Sequence, residues 1–405
     1  MTKEYLITRL GALGDGIAET AEGPKHFPFT LPGETVRQND GGNVEIIAPS
    51  PERVAAICRH FGICGGCQMQ HLARDAYLDW KRDLVTQALA REGLTPPMRQ
   101  IAGFGEGLRR RVVFTAIRAG NGILFGFSRK GSNRIVDVGE CPVLLPQIVA
   151  RLKTLKRLSA ILATRKDVMK ISVLACSNGL DVSANNGSIT TEKTKMEAIA
   201  LAASEGFARL SLNGETLIET LRPVLDTGLA QVSPPPGAFV QAVEGAELAM
   251  ADLVVAHLGD CKSIADLFCG QGAFALRLAK NAAIYAAESE AAPLAALDRA
   301  WRETGGRLKQ VTTEKRDLFR RPVMAAELKR FDGVVFDPPR AGAEAQCREL
   351  AKSTVKRIAA VSCNAKTMAR DLRILVDGGY RLISVTPIDQ FVFTSHVEAV
   401  ALLER

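Results

Sequence analysis

The chain has 405 residues, of which 47% are hydrophobic, 24% charged and 5% aromatic. That content excludes a disordered chain, and no apolar run of about 18 residues occurs, so no membrane-spanning helix is expected. Lysine and arginine number 52 against 44 acids, a formal charge of +8, which favours a polyanionic partner such as nucleic acid.

The first residues, Met1-Thr2-Lys3-Glu4-Tyr5, lack the charged-then-apolar layout of a secretory leader. A cytoplasmic protein with reduced thiols is therefore expected, and nine cysteines then call for an explanation other than disulfides; a monomer is expected as well. Residues 1–52 read as a small β-rich module. Gly11, Gly14, Gly16, Gly23, Pro24, Pro28, Pro32 and Gly33 punctuate short runs such as 5–10 and 26–30, a pattern of brief strands joined by tight turns. Gly14-Asp15-Gly16-Ile17-Ala18, followed by Phe27 and Leu31-Pro32-Gly33-Glu34-Thr35-Val36, resembles the TRAM domain. That resemblance implies an OB-like barrel that contacts RNA, shortened here at Arg37-Gln38-Asn39-Asp40-Gly41-Gly42.

Cys58, Cys64 and Cys67 follow in the spacing C-x5-C-x2-C with glycines between them, and Cys141-Pro142 supplies a fourth thiol further along. Thiolates in fours hold zinc or an iron–sulfur cluster. Zinc sites usually come as two close pairs, whereas three close cysteines and a distant one before proline suit a [4Fe–4S] cluster. His60 and His71 flank the group and are read as bystanders.

A helix is expected over 74–92, then strands over 108–114, 123–127 and 135–138. Arg109, Arg110, Arg111, Arg129, Lys130 and Arg134 make this region basic, with Phe114, Phe125 and Phe127 interleaved. Such a surface clamps phosphates and stacks bases, and the arginine triplet is a candidate RNA contact. Helices over 145–163 and 192–205 alternate with strands over 171–175 and 208–212. Val232-Ser233-Pro234-Pro235-Pro236-Gly237 is a stiff linker. It divides an α+β central unit, 53–235, from a third unit, 236–405, that opens on a helix over 238–257.

From Ser263 the chain alternates strand and helix, the pattern of a doubly wound α/β sheet whose ligands sit at the carboxyl ends of its strands. Strands are expected over 263–268, 283–287, 310–313, 333–336, 357–361, 382–385 and 397–403, with helices over 273–280, 291–302 and 365–376. Asp266-Leu267-Phe268-Cys269-Gly270-Gln271-Gly272 makes a glycine turn after the first strand. It lacks the third glycine of a dinucleotide fingerprint, and no Gly-Lys-Ser/Thr phosphate loop exists. Glu288, 22 residues after Asp266, suits the two hydroxyls of a ribose. An acidic clamp without a phosphate cradle fits S-adenosylmethionine, with NAD as the alternative. Asp337-Pro338-Pro339 resembles the loop with which amino-methyltransferases hold a target amine, but Arg340 stands where those loops carry an aromatic residue. Cys363 closes a strand just before a helix N-terminus, where the positive field lowers a thiol pKa.

Taken together, Cys58, Cys64, Cys67 and Cys141, the turn 266–272, Asp337-Pro338-Pro339-Arg340-Ala341-Gly342, Ser362-Cys363-Asn364 and the tail Asp389-Gln390-Phe391-Val392-Phe393-Thr394-Ser395-His396-Val397-Glu398 resemble the RNA uracil-C5 methyltransferase family. Within it the likeness is to the iron–sulfur-containing 23S rRNA branch, because the tRNA branch generally lacks the cluster cysteines. The resemblance implies a Rossmann-like class I methyltransferase domain, Cys363 as nucleophile and Glu398 as base. It further implies that Gln241, Phe268, Glu288 and Asp337 contact the methyl donor, with Asp317 near its adenine. Two positions depart from the family pattern: Ala273 replaces a frequent asparagine, and Gly237-Ala238-Phe239-Val240 replaces paired aromatics before Gln241. Two rival readings are a tRNA uracil methyltransferase and a non-catalytic iron–sulfur RNA-binding protein. The latter would need neither Cys363 nor Glu398.

Overall fold

The computed structural model describes residues 2–120 and 122–405. At the N-terminus, Lys3–Leu6, Thr35–Gln38 and Val44–Ala48 form one antiparallel sheet, and Arg9–Leu10, Gly16–Thr20 and Gly23–Phe27 form another. Ile7, Ala18, Phe27 and Val36 are buried between them. The run 5–10 is thus two strands, not one. Ile7 donates to Glu34 O (2.9 Å) while Thr8 donates to Ile17 O (2.8 Å), so the chain changes sheet there. The run 26–30 ends early because Phe29 takes a left-handed φ of 60°.

The middle of the chain builds a seven-stranded sheet in the order Ile135–Asp137, Gly122–Ser128, Arg111–Ala119, Met169–Cys176, Gly179–Asn185, Phe207–Leu212 and Glu215–Glu219. Helices Leu152–Leu162 and Glu192–Ser204 pack into its core. The helix expected over 145–163 is interrupted after Pro146–Val149, where Arg151 donates to Ile148 O instead of continuing the i−4 ladder.

The C-terminal sheet has eight strands in the order Val311–Lys315, Ala283–Glu288, Ser263–Leu267, Gly333–Phe336, Arg357–Ser362, Glu398–Glu404, Arg381–Asp389 and Ala102–Gly103. Only Glu398–Glu404 runs antiparallel to its neighbours. The chain starts in the middle, at Ser263–Leu267, and winds outward both ways, so a crevice opens where the order reverses. The expected short helix over 273–280 is reduced to Ala275–Leu278.

Helix Arg74–Arg91 buries Tyr77, Trp80, Lys81, Val85, Ala88 and Leu89, one face at helical spacing. It stops at Gly93, in the left-handed region (φ 69°), with Gly93 donating to Ala90 O. Residues 74–103 belong to the central unit by linear order. In space, Val85, Ala88, Leu89 and Leu94 join the core of the C-terminal sheet, and Ala102–Gly103 becomes its edge strand.

The helix expected over 238–257 begins only at Glu244. Residues 238–243 are held out of the helix instead: Ala238 O and Gln241 O accept from the Arg111 and Arg110 side chains, and Arg110 N–H donates to Ala242 O. Tertiary hydrogen bonds override local helix propensity here.

Candidate active site

Five strand ends converge on the crevice. Asp266, fully buried, accepts the Ala275 N–H at 2.9 Å, which ties the first strand to the short helix beyond the glycine turn. Gly270 and Gly272 both have positive φ. A Cβ on Gly272 would lie 2.4 Å from Leu297, whereas one on Gly270 would meet nothing within 4 Å. Gly272 therefore permits close packing, and Gly270 leaves open space beside Glu288. Glu288 accepts from the backbone of Gly270, Ser289 and Glu290. Phe268 is held at φ 60°, a costly conformation for an aromatic residue, and its ring meets Phe319 at 5.5 Å. Asp317 is exposed and caps the turn that carries Phe319, accepting its N–H at 3.0 Å. These residues fit an adenosine: a carboxylate for ribose hydroxyls and two rings for a base.

Asp337 follows the strand Gly333–Phe336 and accepts from Gln241 Nε2 at 3.2 Å. Gln241 Oε1 in turn accepts from Gln390 Nε2 (2.6 Å), which also donates to Glu398 Oε1 (2.9 Å). Glu398 is 2% exposed, and its Oε2 has no hydrogen-bond partner among the described residues. Burial pushes both carboxyls up; the charge of Asp337 raises Glu398 further, and Glu247 does the same to Asp337.

Cys363 is partly exposed between Ser362 and Asn364, and the Asn364 side chain caps helix Ala365–Asp377 by accepting from Lys366 N–H. The helix terminus does not win here. Burial, then the charges of Glu398 and Asp337, push the Cys363 thiol up to about 11, against Arg340, which lowers it. The expected low thiol pKa is thus corrected: two carboxylates beside a half-buried sulfur outweigh a helix end. Asn364 Nδ2 also donates to Arg340 O at 3.0 Å, fixing the Asp337 loop against the Cys363 loop.

Cys58, Cys64, Cys67 and Cys141 are all free thiols and line one cavity of about 400 Å³, together with Arg109, Arg111, Phe127, Arg340, Phe391 and His396. Burial comes first in raising the Cys67 thiol to about 12, followed by the other three thiols. Among the described residues, no three His, Cys, Asp or Glu side chains converge on a point that would hold a single metal ion. The loop is bound to the tail: Gln68 and Met69 N–H both donate to Phe393 O. Cys176, Cys261, Cys269 and Cys347 are buried packing residues.

The basic region divides. Arg110 turns inward, donating to Glu247 Oε2 at 2.6 Å and to Gln241 O at 3.1 Å, so it is a structural strut and not an RNA contact. Phe114 and Phe125 are fully buried and pair at 4.6 Å, so they are core and not base platforms. Arg109 lies over Phe391 and Arg111 over the exposed Phe239, at 5.6 and 5.1 Å from the ring centres.

Three helix residues that bear on the site carry no motif. Lys81, with no exposed side chain, donates to Asp389 Oδ1, Phe391 O and His396 O. Tyr77 and Arg74 donate to the two oxygens of the same carboxylate. Together they hold the loop 389–397 that delivers Glu398. No signal in the sequence marked them, because their partners lie more than 300 residues away. Phe319, two residues after Asp317, was likewise unmarked.

Residues 162–405 match the family described as tRNA (Uracil-5-)-methyltransferase. An uncharacterized RNA methyltransferase of Rhizobium meliloti (strain 1021) is 50% identical over 414 residues, covering 100% of both chains. The 23S rRNA (uracil(1939)-C(5))-methyltransferase of Halomonas elongata is 32% identical over 446 residues, covering 100% of this chain and 89% of that protein. The crystal structure of Pyrococcus abyssi tRNA (uracil-54, C5)-methyltransferase with S-adenosyl-L-homocysteine has the same fold, with a TM-score of 0.77 at 22% identity over 99% of each chain. The chain belongs to the S-adenosylmethionine-dependent RNA uracil-5-methyltransferase family.

Proposed function

We propose that the protein methylates C5 of a uridine in 23S rRNA through a covalent bond from Cys363, with Glu398 as the base, and that Cys58, Cys64, Cys67 and Cys141 hold a [4Fe–4S] cluster. The observation that carries the catalytic reading is the grouping of one thiol with the buried Glu398 carboxyl and the partly buried Asp337 carboxyl, close enough that both charges raise the thiol. Support for 23S rRNA comes from the 32% identical relative named for it, together with the cysteine set.

Glu288, Phe268, Asp337 and Gln241 would hold S-adenosylmethionine, which would supply the methyl group from its sulfonium. Asp317 acts indirectly, by setting the turn that carries Phe319. Cys363 adds as the thiolate to C6 of a uracil turned out of its stack, and the ring electrons collect on C5 and the C4 carbonyl. C5 then takes the methyl group. Glu398 Oε2 accepts the C5 proton, the C5=C6 bond re-forms, and the Cys363 thiolate leaves. Arg340 stands beside this exchange and favours the anionic sulfur.

Two observations support the cluster reading: the four cysteines are free thiols, and they line one cavity. Methyl transfer moves no net electrons, so these thiolates serve to order the loop 58–67 beside the tail. Thiols kept in this state suit a reducing cytoplasm.

The test incubates purified protein with labelled methyl donor and separated 23S rRNA and tRNA, then digests the RNA to nucleosides. Label in 5-methyluridine from 23S rRNA is expected. Label mainly from tRNA contradicts the substrate, and absence of labelled 5-methyluridine contradicts the activity. For the cluster, Cys67→Ser is expected to abolish visible absorbance and iron content; retention of both contradicts the assignment.

A further inference from the structure

Gln390 lies within the tail 389–398 that carries the family resemblance, but the resemblance assigns it no role. It is 1% exposed, and its side chain makes three hydrogen bonds. Ala242 N–H donates to its Oε1 at 2.9 Å. A backbone N–H can only donate, so this contact fixes which end of the Gln390 amide is oxygen. Gln390 Nε2 then spends its two protons on Gln241 Oε1 and Glu398 Oε1. The orientation propagates. Gln241 must present oxygen to Gln390 and nitrogen to Asp337, which is the arrangement found. Glu398 must present an acceptor to Gln390, so any proton the carboxyl carries resides on Oε2, the oxygen with no partner.

We propose that Gln390 is a positioning residue for proton removal: anchored by the Ala242 amide, it holds Glu398 Oε1 as a permanent acceptor and so reserves Oε2 as the atom that receives the C5 proton. Through Gln241 the same amide ties this carboxyl to Asp337 on the donor side. The non-helical path of residues 238–243 acquires a purpose, since a helix starting at 238 would withdraw the Ala242 N–H into its own ladder. In the step concerned, the C5–H bond breaks, its proton goes to Oε2, its electron pair becomes the C5=C6 bond, and the Sγ–C6 pair returns to Cys363. This inference rests on the covalent reading above.

The experiment compares wild type, Glu398→Gln, Gln390→Met and Gln390→Glu in single-turnover methylation, and resolves denatured RNA–protein adducts on gels. Glu398→Gln tests the covalent reading: it is expected to accumulate methylated adduct, and its failure to do so overturns that reading and this inference with it, whereas adduct in Glu398→Gln leaves the Gln390 variants as the test of this inference alone. Both Gln390 variants preserve side-chain volume. Gln390→Met removes the donated bonds; Gln390→Glu still accepts from Ala242 but sets carboxyl against carboxyl. Each is expected to slow product release by on the order of ten- to a hundredfold and to accumulate adduct, with RNA affinity unchanged. A residue that merely filled space would tolerate Gln390→Glu. Wild-type turnover in either variant, or slow turnover without adduct, overturns the assignment.

Discussion

Glu398→Gln is expected to stabilise the ligand-free protein, by an amount that grows as pH rises from the ordinary carboxylate range to about 8. The buried Glu398 carboxyl is raised from 4.5 to about 8, by burial first and then by Asp337. A carboxyl raised in the folded state favours folding fully below its unfolded pKa, and that contribution is lost as pH rises through the folded value. At 1.36 kcal/mol per unit the ceiling is about 5 kcal/mol. Asp337 shares the charge, so about 2–4 kcal/mol is expected for Glu398 alone. Glutamine mimics the protonated acid at every pH and still offers an oxygen to Gln390 Nε2. For a chain of this length the gain amounts to about 2–5 °C in Tm at pH 8.5, shrinking to near zero at pH 4.5. Calorimetry at the two pH values measures it. An equal Tm at both, or a lower Tm for the variant at pH 8.5, would refute the argument that the base is held charged at the expense of the fold.

Two further substitutions test the residues that no motif marked. Lys81→Met removes a fully buried ammonium from Asp389 and two carbonyls, and should cost about 3–5 kcal/mol in denaturant unfolding while lowering the methylation rate. An unchanged rate would separate the loop 389–397 from catalysis. Phe319→Ala deletes the ring that meets Phe268 at 5.5 Å. It should weaken S-adenosyl-L-homocysteine binding by about 0.5–1.5 kcal/mol, read by titration calorimetry.

The α/β architecture was legible because alternating strands and helices and a glycine turn are local signals. Every polar residue expected at a strand end, from Glu288 to Cys363, lies at one. What stayed hidden depends on distant partners. Arg110 looked like its neighbours Arg109 and Arg111, yet Glu247 draws it inside. Phe114 and Phe125 looked like a stacking platform, but the strands that carry them turn those rings to the core. The start of the helix at Glu244 is set by hydrogen bonds to residues 110 and 390, which no local window contains. Cys363 was assigned a field from its own helix, while the charges that dominate it come from residues 337 and 398. Lys81 carries no motif, and the carboxylate that explains its burial, Asp389, lies 308 residues further along the chain.

The central claim is that Cys363 bonds to the ring that is methylated. RNA in which 5-fluorouridine replaces uridine has no C5 proton to remove, so the adduct cannot resolve. With methyl donor present, wild-type protein is predicted to form a denaturation-stable complex whose cross-linked peptide maps to Cys363, and Cys363→Ala is predicted to form none and to make no 5-methyluridine. A cross-link on another residue, or methylation surviving in Cys363→Ala, would contradict the account.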